Sequence, residues 1–556
     1  MAALWFWVLA PHLCLGQMAT DIEWDVVYTP TKLPQECGWG RDIGPSNTAE
    51  LTADGTLHII DTSSANGERA CYTRGWGARP DRGAIVQATV KVVECTARAG
   101  VCLTTADGVH EETLTLYPDR ISLAHSGLEH AMDTTDGFHT YTVRVAGLGI
   151  EVWVDGELAI DGWGKFTHDA YNARQTLIFG SLSSQAQSES HWKTVRYVSW
   201  RVPVERIAGA QDVVIYRKEG IYACFPSLRR LPDGRLYTSF GTRVRRSHID
   251  GTGGGARMVS SDEGRTWEPA DAVPQPDMYT REDGTIIIPR GQAWIHVDEA
   301  ELPKIRERNR RWMAVRPGTI AYLGDALVDI TAPGEEKRTL NLGTPVPGGC
   351  HAFHDACSFI RKGNLWLKAI YCFTGTNGLS GVWVIRSEDD GESWELVHVG
   401  GPLGDRIGLG ETALCDNGRG EIIALMRSGA GGKYNTHQSF STDGGKTWSP
   451  PQDTGIWGYP CHVLLLRDGR LLCSYGYRRD AMGVRAVLSE DGGHTWDLHS
   501  EIIIRADGTG NGGDNGYPIS LQMKDGHIFT IYYINDFENV THVAGTHWDL
   551  PPVSDK

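Results

Sequence analysis

The chain has 556 residues, too many for one hydrophobic core, so two domains are the smallest arrangement that fits. Apolar residues make up 40% and charged residues 22%, the balance of a globular protein, while 67 Gly and 19 Trp suit a turn-rich all-β structure. A formal net charge of −16 repels phosphate backbones and basic runs are short, as at Arg243, Arg245 and Arg246, so nucleic acid is excluded as a general partner and an anionic ligand needs a local basic pocket.

Residues 2–16 form an apolar run with a small-residue end, too short to span a membrane and with no Lys or Arg before it. Residues 1–18 therefore read as a signal peptide, which implies a secreted or periplasmic protein. No later segment reaches 18 uninterrupted apolar residues, so the membrane is not an expected partner. In an exported chain twelve cysteines admit disulfides, with Cys95/Cys102 and Cys350/Cys357 as candidate pairs, whereas Cys372, Cys415 and Cys473 lie in apolar runs as small hydrophobes do. With neither a CxxC pair nor HExxH, no metal site is expected.

Residues 19–203 carry strand-like runs at 85–93, 139–145 and 150–154, with turns at Asp107-Gly108 and Asp155-Gly156, and read as a separate β domain. A linker, 204–211, leads to a second domain over 212–556 that is built from repeats. The pattern Ser-x-Asp-x-Gly-x-(Thr/Ser)-Trp recurs at 260–267, 387–394, 441–448 and 489–496. In each copy Asp caps a tight turn, Gly supplies positive φ, and Trp is placed to bury against the adjoining strand. Hairpin turns at Asp233-Gly234, Asp283-Gly284, Lys362-Gly363, Arg419-Gly420, Asp468-Gly469 and Asp525-Gly526 form an independent series, and six turns predict six blades. The wide gap between the second and third turns holds an insertion whose charged core, 299–316, reads as a short solvated helix.

The octapeptides resemble the Asp boxes (BNR repeats) of the sialidase superfamily, and the blade order from residue 212 onward is similar to that family. The segment TYTVRVAGLGIEVWVDGELA, 140–159, resembles the late strands of laminin-G or concanavalin-like jelly rolls. Together these imply an all-β chain, a lectin-like β-sandwich joined to a six-bladed sialidase-like propeller, with a glycan as partner and no cofactor. Asp boxes define architecture; the pocket must decide activity.

In the family a Tyr activated by a Glu attacks an anomeric carbon that already bears a carboxylate, where an anionic nucleophile would be repelled. GETALCDNGRGEIIALMR supplies Glu411 and Arg427 in the family's arrangement, NGYPISLQMKDGHIFTIYY supplies Tyr517, and MGVRAVLSEDGGHTW supplies Arg485. The first blade departs from the pattern: IYACFPSLRRLPDGRL has Cys224 where the family carries an Arg, and Arg243, Arg245 and Arg246 one strand later are the candidate replacements. Arg243 itself resembles a pocket Arg, and Asp250 or His248 beyond it is the candidate proton donor. CHAFHDACSF adds His351, His354 and Asp355, and YPCHVLLLRDGR adds His462, each as a pocket contact or a core histidine. Three functions follow from the resemblance: an exo-acting glycoside hydrolase releasing a terminal acidic sugar, sialic acid or a related one; a polysaccharide lyase on uronate-containing glycans, with the histidines as support; and a non-catalytic glycan-binding propeller.

Overall fold

The computed structural model describes residues 22–552 apart from 65–67, 81, 172–173, 184–186, 200–203, 245–252, 271–276, 293, 317, 353–354, 375–378, 430–433, 480, 509–513, 537 and 539. The N-terminal part forms two antiparallel sheets. One runs from Glu157–Gly162 through Gly149–Val154, His139–Ala146, Ala84–Cys95, Ser188–Val198 and Leu57–Asp61 to Thr48–Leu51, with Val26–Tyr28 on Ser188–Val198. The other runs from Glu129–Ala131 through Arg120–Leu123, Glu111–Tyr117, Cys102–Ala106, Thr176–Ser181 and Ala70–Gly75 to Gly40–Ile43. Strict alternation decides what each strand buries: Leu57, Ile59 and Asp61 point inward while His58 and Ile60 face out. Val86, Tyr141 and Ile150 from the first sheet and Tyr72, Leu103 and Phe179 from the second share one core with Trp39, Trp76 and Trp192.

From residue 211 the described chain forms seven antiparallel sheets: six follow one another along the chain, and a three-stranded one (Ile295–Asp298, Thr319–Tyr322, Trp312–Arg316) is inserted between the first two strands of the second. Sheet one holds Ile221–Cys224, Leu236–Val244 and Gly253–Ser260; sheet two, Ile286–Gly291, Ala326–Thr331 and Arg338–Gly343; sheet three, Cys350–Ala352, Leu365–Phe373, Ser380–Ser387 and Glu395–Gly400. Sheet four holds Leu409–Asp416, Ile422–Ser428 and His437–Ser441; sheet five, Cys461–Leu465, Leu471–Tyr477, Met482–Ser489 and Ile502–Gly508; sheet six, Gly516–Gln522, Ile528–Asn535 and Thr541–Trp548. Sheet six is completed by Gln211–Tyr216, which pairs antiparallel with Thr541–Trp548. First strands meet across the junctions: Leu409–Asp416 packs on Cys461–Leu465, and Cys461–Leu465 on Gly516–Gln522. All six Gly of the hairpin series have positive φ, from 58° at Gly363 to 102° at Gly526.

The octapeptides share one hydrogen-bond scheme. In the second, Ser387 Oγ accepts from Gly391 N (2.8 Å) and donates to Asp389 Oδ1 (2.8 Å), and Asp389 also accepts from Ser393 N (2.9 Å) and Ser393 Oγ (2.5 Å). These donors, Ser393 foremost, hold the Asp389 carboxyl down to about 2. The first three Trp close on their own turn, as Trp394 Nε1 does on Gly391 O (3.0 Å). Trp496, in the fourth, instead donates to Gln438 Oε1 of sheet four at 2.9 Å.

Two expectations are corrected. The helix of the insertion is confined to a 3-10 turn, Glu299–Glu301, and Leu302–Glu307, with Ile305 buried. The rest becomes Trp312–Arg316, a strand drawn into pairing with Thr319–Tyr322, because Trp, Met and Val prefer a pleated surface once the charged run ends. Cys95 and Cys102 are free thiols, as are the other described cysteines, and Cys350 faces not Cys357 but Cys372, its register partner, with the sulfurs 2.8 Å apart. Among the described residues no helix is long and apolar enough to cross a membrane.

Asp389→Ala removes an acceptor that serves three donors at once, so it should cost about 1–2 kcal/mol and lower Tm by a few degrees in thermal unfolding followed by circular dichroism. An unchanged Tm would show that the turn holds without its carboxylate.

Candidate functional site

Glu411 and Tyr517 are both delivered by β-bulges. The register of Leu409–Asp416 against Ile422–Ser428 shifts between Leu409 and Thr412, around Gly410-Glu411. The register of Gly516–Gln522 against Ile528–Asn535 shifts between Gly516 and Ile519, around Tyr517-Pro518. A bulge re-aims a side chain that regular alternation would put on the sheet face, and Pro518 fits there because a bulge needs no ladder N–H. Tyr517 has φ 50°, a left-handed conformation that a bulky residue adopts only where its surroundings impose it. Phe225, with φ 58°, meets the Tyr517 ring edge-on with centroids 4.5 Å apart.

The two bulges bring the Tyr517 hydroxyl onto Glu411 Oε1, to which it donates a short hydrogen bond. Arg427, near the end of the next strand, donates from Nη1 to Glu411 Oε2 at 2.5 Å. The carboxylate is thus held between a phenol and a guanidinium, with 15% of its side chain still exposed and open to a ligand. Burial would raise the Glu411 pKa, but the Arg427 charge, the Tyr517 hydroxyl and Arg478 outweigh it and hold the group below its ordinary 4.5. Burial and the Glu411 charge push the Tyr517 phenol well above its ordinary 10.0, so at rest the proton stays on Tyr517.

Arg478 is the second cation of the cluster. Its guanidinium lies 5.1 Å from the Tyr459 ring centroid, and that of Arg427 lies 4.3 Å from the same centroid, so one aromatic ring supports both. Arg478 Nη2 pairs with Asp514 Oδ1 at 3.1 Å and its Nε donates to Asn515 O at 3.0 Å. Asp514 in turn accepts from the Tyr222 hydroxyl and, at 2.7 Å, from the Tyr533 hydroxyl. Burial opposes the charge on Arg478, but Asp514 and Tyr533 hold its pKa above the ordinary value.

The other predicted residues are placed as follows. Arg485, in mid-strand opposite Tyr475, pairs with Glu501 (2.5 Å) and lies 3.3 Å from the centroid of Tyr477. Arg243 is next to last in the second strand of sheet one, opposite Tyr222, with a buried Nε that no hydrogen bond satisfies. Cys224 is fully buried, and burial, with Asp514 nearby, pushes its thiol up to about 12. His351 stacks on Tyr371 (centroids 5.2 Å apart), whose phenol is pushed up by burial and by the Glu411 charge. His462 is buried and accepts from Ser520 N at Nδ1 (3.3 Å), a strut between sheets five and six. Arg245, Arg246, His248, Asp250 and His354 lie outside the described residues, as does the side chain of Asp355.

Arg478 and Asp514 escape motif reasoning, yet a signal for Arg478 exists. The second strands of sheets one and four carry Arg243 and Arg427 next to last, Arg478 follows directly on that of sheet five, and those of sheets three and six carry Tyr371 and Tyr533 two residues before their ends. Counted from the hairpin Gly these residues stand seven to nine positions on, near the far end of each second strand. No comparable pattern marks Asp514, which precedes the bulge Gly.

The fold and cluster define an all-β protein of Asp-box hairpin sheets with a tyrosine–glutamate–arginine centre. The profile of the BNR repeat-like domain matches residues 336–530, a segment that contains three of the four octapeptides. No curated protein matches the chain. Among solved structures, a protein of unknown function from Dyadobacter fermentans is similar at 22% identity over 62% of this chain and 100% of its own, with TM-score 0.49. The NanB sialidase of Streptococcus pneumoniae is similar at 12% identity over 85% of this chain and 95% of its own (TM-score 0.40). The alpha-L-arabinanase of Penicillium chrysogenum is similar at 13% identity over 62% and 99% (TM-score 0.39).

Because the Tyr517 phenol is held well above 10.0, wild type and Tyr517→Phe should ionise the same number of tyrosines up to about pH 11, read from tyrosinate absorbance. One extra tyrosine titrating in the wild type would place that hydroxyl away from Glu411.

Proposed function

We propose that the chain is an exo-acting glycoside hydrolase that releases a terminal acidic sugar, sialic acid or a related one, outside the cytoplasm. It carries its site on a six-bladed propeller behind a jelly-roll sandwich. The observation that carries the reading is the Tyr517 hydroxyl donating to a carboxylate that Arg427 clamps. A neutral phenol can approach an anomeric carbon beside a carboxylate, and Glu411 takes its proton as the bond forms. In the first step Tyr517 Oη bonds to that carbon, the glycosidic C–O bond breaks, and the leaving oxygen takes a proton from Asp250 or His248. In the second, Asp250 or His248 takes a proton from the water that adds to the same carbon, and Tyr517 leaves, its phenolate recovering a proton from Glu411.

Arg427 and Arg478, with Arg243 as third partner, supply the cationic recess that a sugar carboxylate needs on a chain of net charge −16. The arrangement also couples binding to chemistry. A substrate carboxylate that engages Arg427 weakens that guanidinium's hold on Glu411, so the base strengthens when substrate is present.

Tyr517→Phe should abolish turnover of a chromogenic sialoside or related acidic glycoside, lowering kcat by about 10³-fold or more. Arg478→Ala should weaken affinity by about 10- to 100-fold, the value of a charge-assisted hydrogen bond. Glu411 must be ionised to act and its pKa lies below 4.5, so the midpoint of the acid limb of kcat/KM should fall below pH 4.5. The acid limb of kcat should sit higher, since bound substrate relieves the lowering. Release of ultraviolet-absorbing unsaturated uronates would assign the site to a lyase, and binding without turnover would assign it to a glycan receptor.

A further inference from the structure

We propose that His58, Glu189 and His191, on the outer face of the eight-stranded sheet, form a binding site for a divalent transition-metal ion, with zinc as the best chemical match. His58 on Leu57–Asp61 and His191 on Ser188–Val198 are direct register partners, and Glu189 lies two residues before His191 on the same outward face. The imidazole rings lie parallel, with centroids 4.2 Å apart and planes at 4°. One ligand atom from each of the three residues lies within 4.8 Å of the other two. Ligands 2.0–2.1 Å from a tetrahedral zinc stand roughly 3.3 Å from one another, so small side-chain rotations close the site without moving a strand. Two imidazoles and a carboxylate favour zinc, copper or nickel over calcium or magnesium, which prefer all-oxygen shells.

The surroundings are arranged as an outer shell. His191 Nδ1 lies 3.1 Å from Thr56 Oγ1, which in turn reaches Thr52 Oγ1 (2.8 Å) and Asp54 Oδ1 (3.5 Å). In the tautomer whose Nδ1–H donates to Thr56, Nε2 presents a bare lone pair, as metal-binding histidines do when their other nitrogen is held. His58 Nε2 and Glu189 Oε1 are 2.9 Å apart and share a proton, which the metal ion would displace. Glu50 Oε1, 4.0 Å from His58 Nδ1, adds negative charge. Lys91, the register partner of His191 on Ala84–Cys95, opposes it, leaving Glu50, Asp54 and Glu189 against one cation.

The test is titration of the untagged full chain, stripped with chelator, with zinc chloride by calorimetry and with cobalt chloride by visible absorption. Wild type should take up one zinc ion at this site, release protons as it binds and give cobalt bands between about 500 and 700 nm for a four-coordinate centre. His191→Ala and the shape-preserving His191→Gln, both checked for folding by circular dichroism, should each weaken zinc binding tenfold or more and abolish the bands. No saturable binding in wild type, or a loss smaller than tenfold in these variants, overturns the proposal. Neither outcome depends on glycoside turnover, because the reacting cluster lies in the other part of the chain.

Discussion

Everything in the repeat domain rests on the pairing of Gln211–Tyr216 with Thr541–Trp548. The strand that enters this domain completes the sheet that ends it, so sheet six, which carries Tyr517 and Tyr533, is finished only by a segment more than three hundred residues earlier. Asp212 secures the joint by accepting from Thr546 Oγ1 (2.7 Å) and pairing with Arg206 of the incoming linker and with Arg505 of sheet five. Burial would raise the Asp212 pKa, but these partners hold it below its usual range. A non-local pairing of this kind costs loop-closure entropy during folding, and it covers the edge of Thr541–Trp548, leaving Gln211–Tyr216 as the outer strand of the sheet.

The centre is a study in shared charge. Glu411 and Asp514 are the two anions, Arg427 and Arg478 the two cations, and one ring, Tyr459, backs both guanidinium groups. Breaking either pair alone would strand a buried ion, which is the costly change; keeping both leaves a set of groups that an anionic ligand can enter by exchange rather than by desolvating new charge. The strained backbone at Tyr517 and Phe225 belongs to the same arrangement, since it turns both rings into the recess.

The all-β class, the four octapeptides and the six turns were legible because each depends on local chemistry: a short side chain capping its own turn, or a glycine at positive φ. Glu411 and Tyr517 were singled out by the resemblance of their segments, while the bulges that bring the two side chains into contact were not read from the sequence. Arg478 was not, because its role depends on where a strand ends and not on a motif, and a search for an arginine just before the Asp box leads to Arg485, whose partner is Glu501. His58 and His191 were invisible together because register alone joins them, across an intervening span that includes most of the N-terminal sheets. The insertion was half legible: its charge marked solvent exposure, while the strand at Trp312–Arg316 answers to a partner that local pattern does not reveal.

The fourth octapeptide departs from its siblings in one bond, and the departure has mechanical meaning. Trp496 gives its indole N–H to Gln438 on sheet four, and Asn417 Nδ2 of sheet four reaches Gly492 O (3.1 Å) in the opposite sense. These two rivets cross the seam between sheet four, which carries Glu411 and Arg427, and sheet five, which Arg478 follows, so the three side chains ride on one stiff plate. Tyr517 stands on sheet six, which His462 ties to sheet five through Ser520 N, so any shift between these sheets would be felt at the Tyr517–Glu411 hydrogen bond.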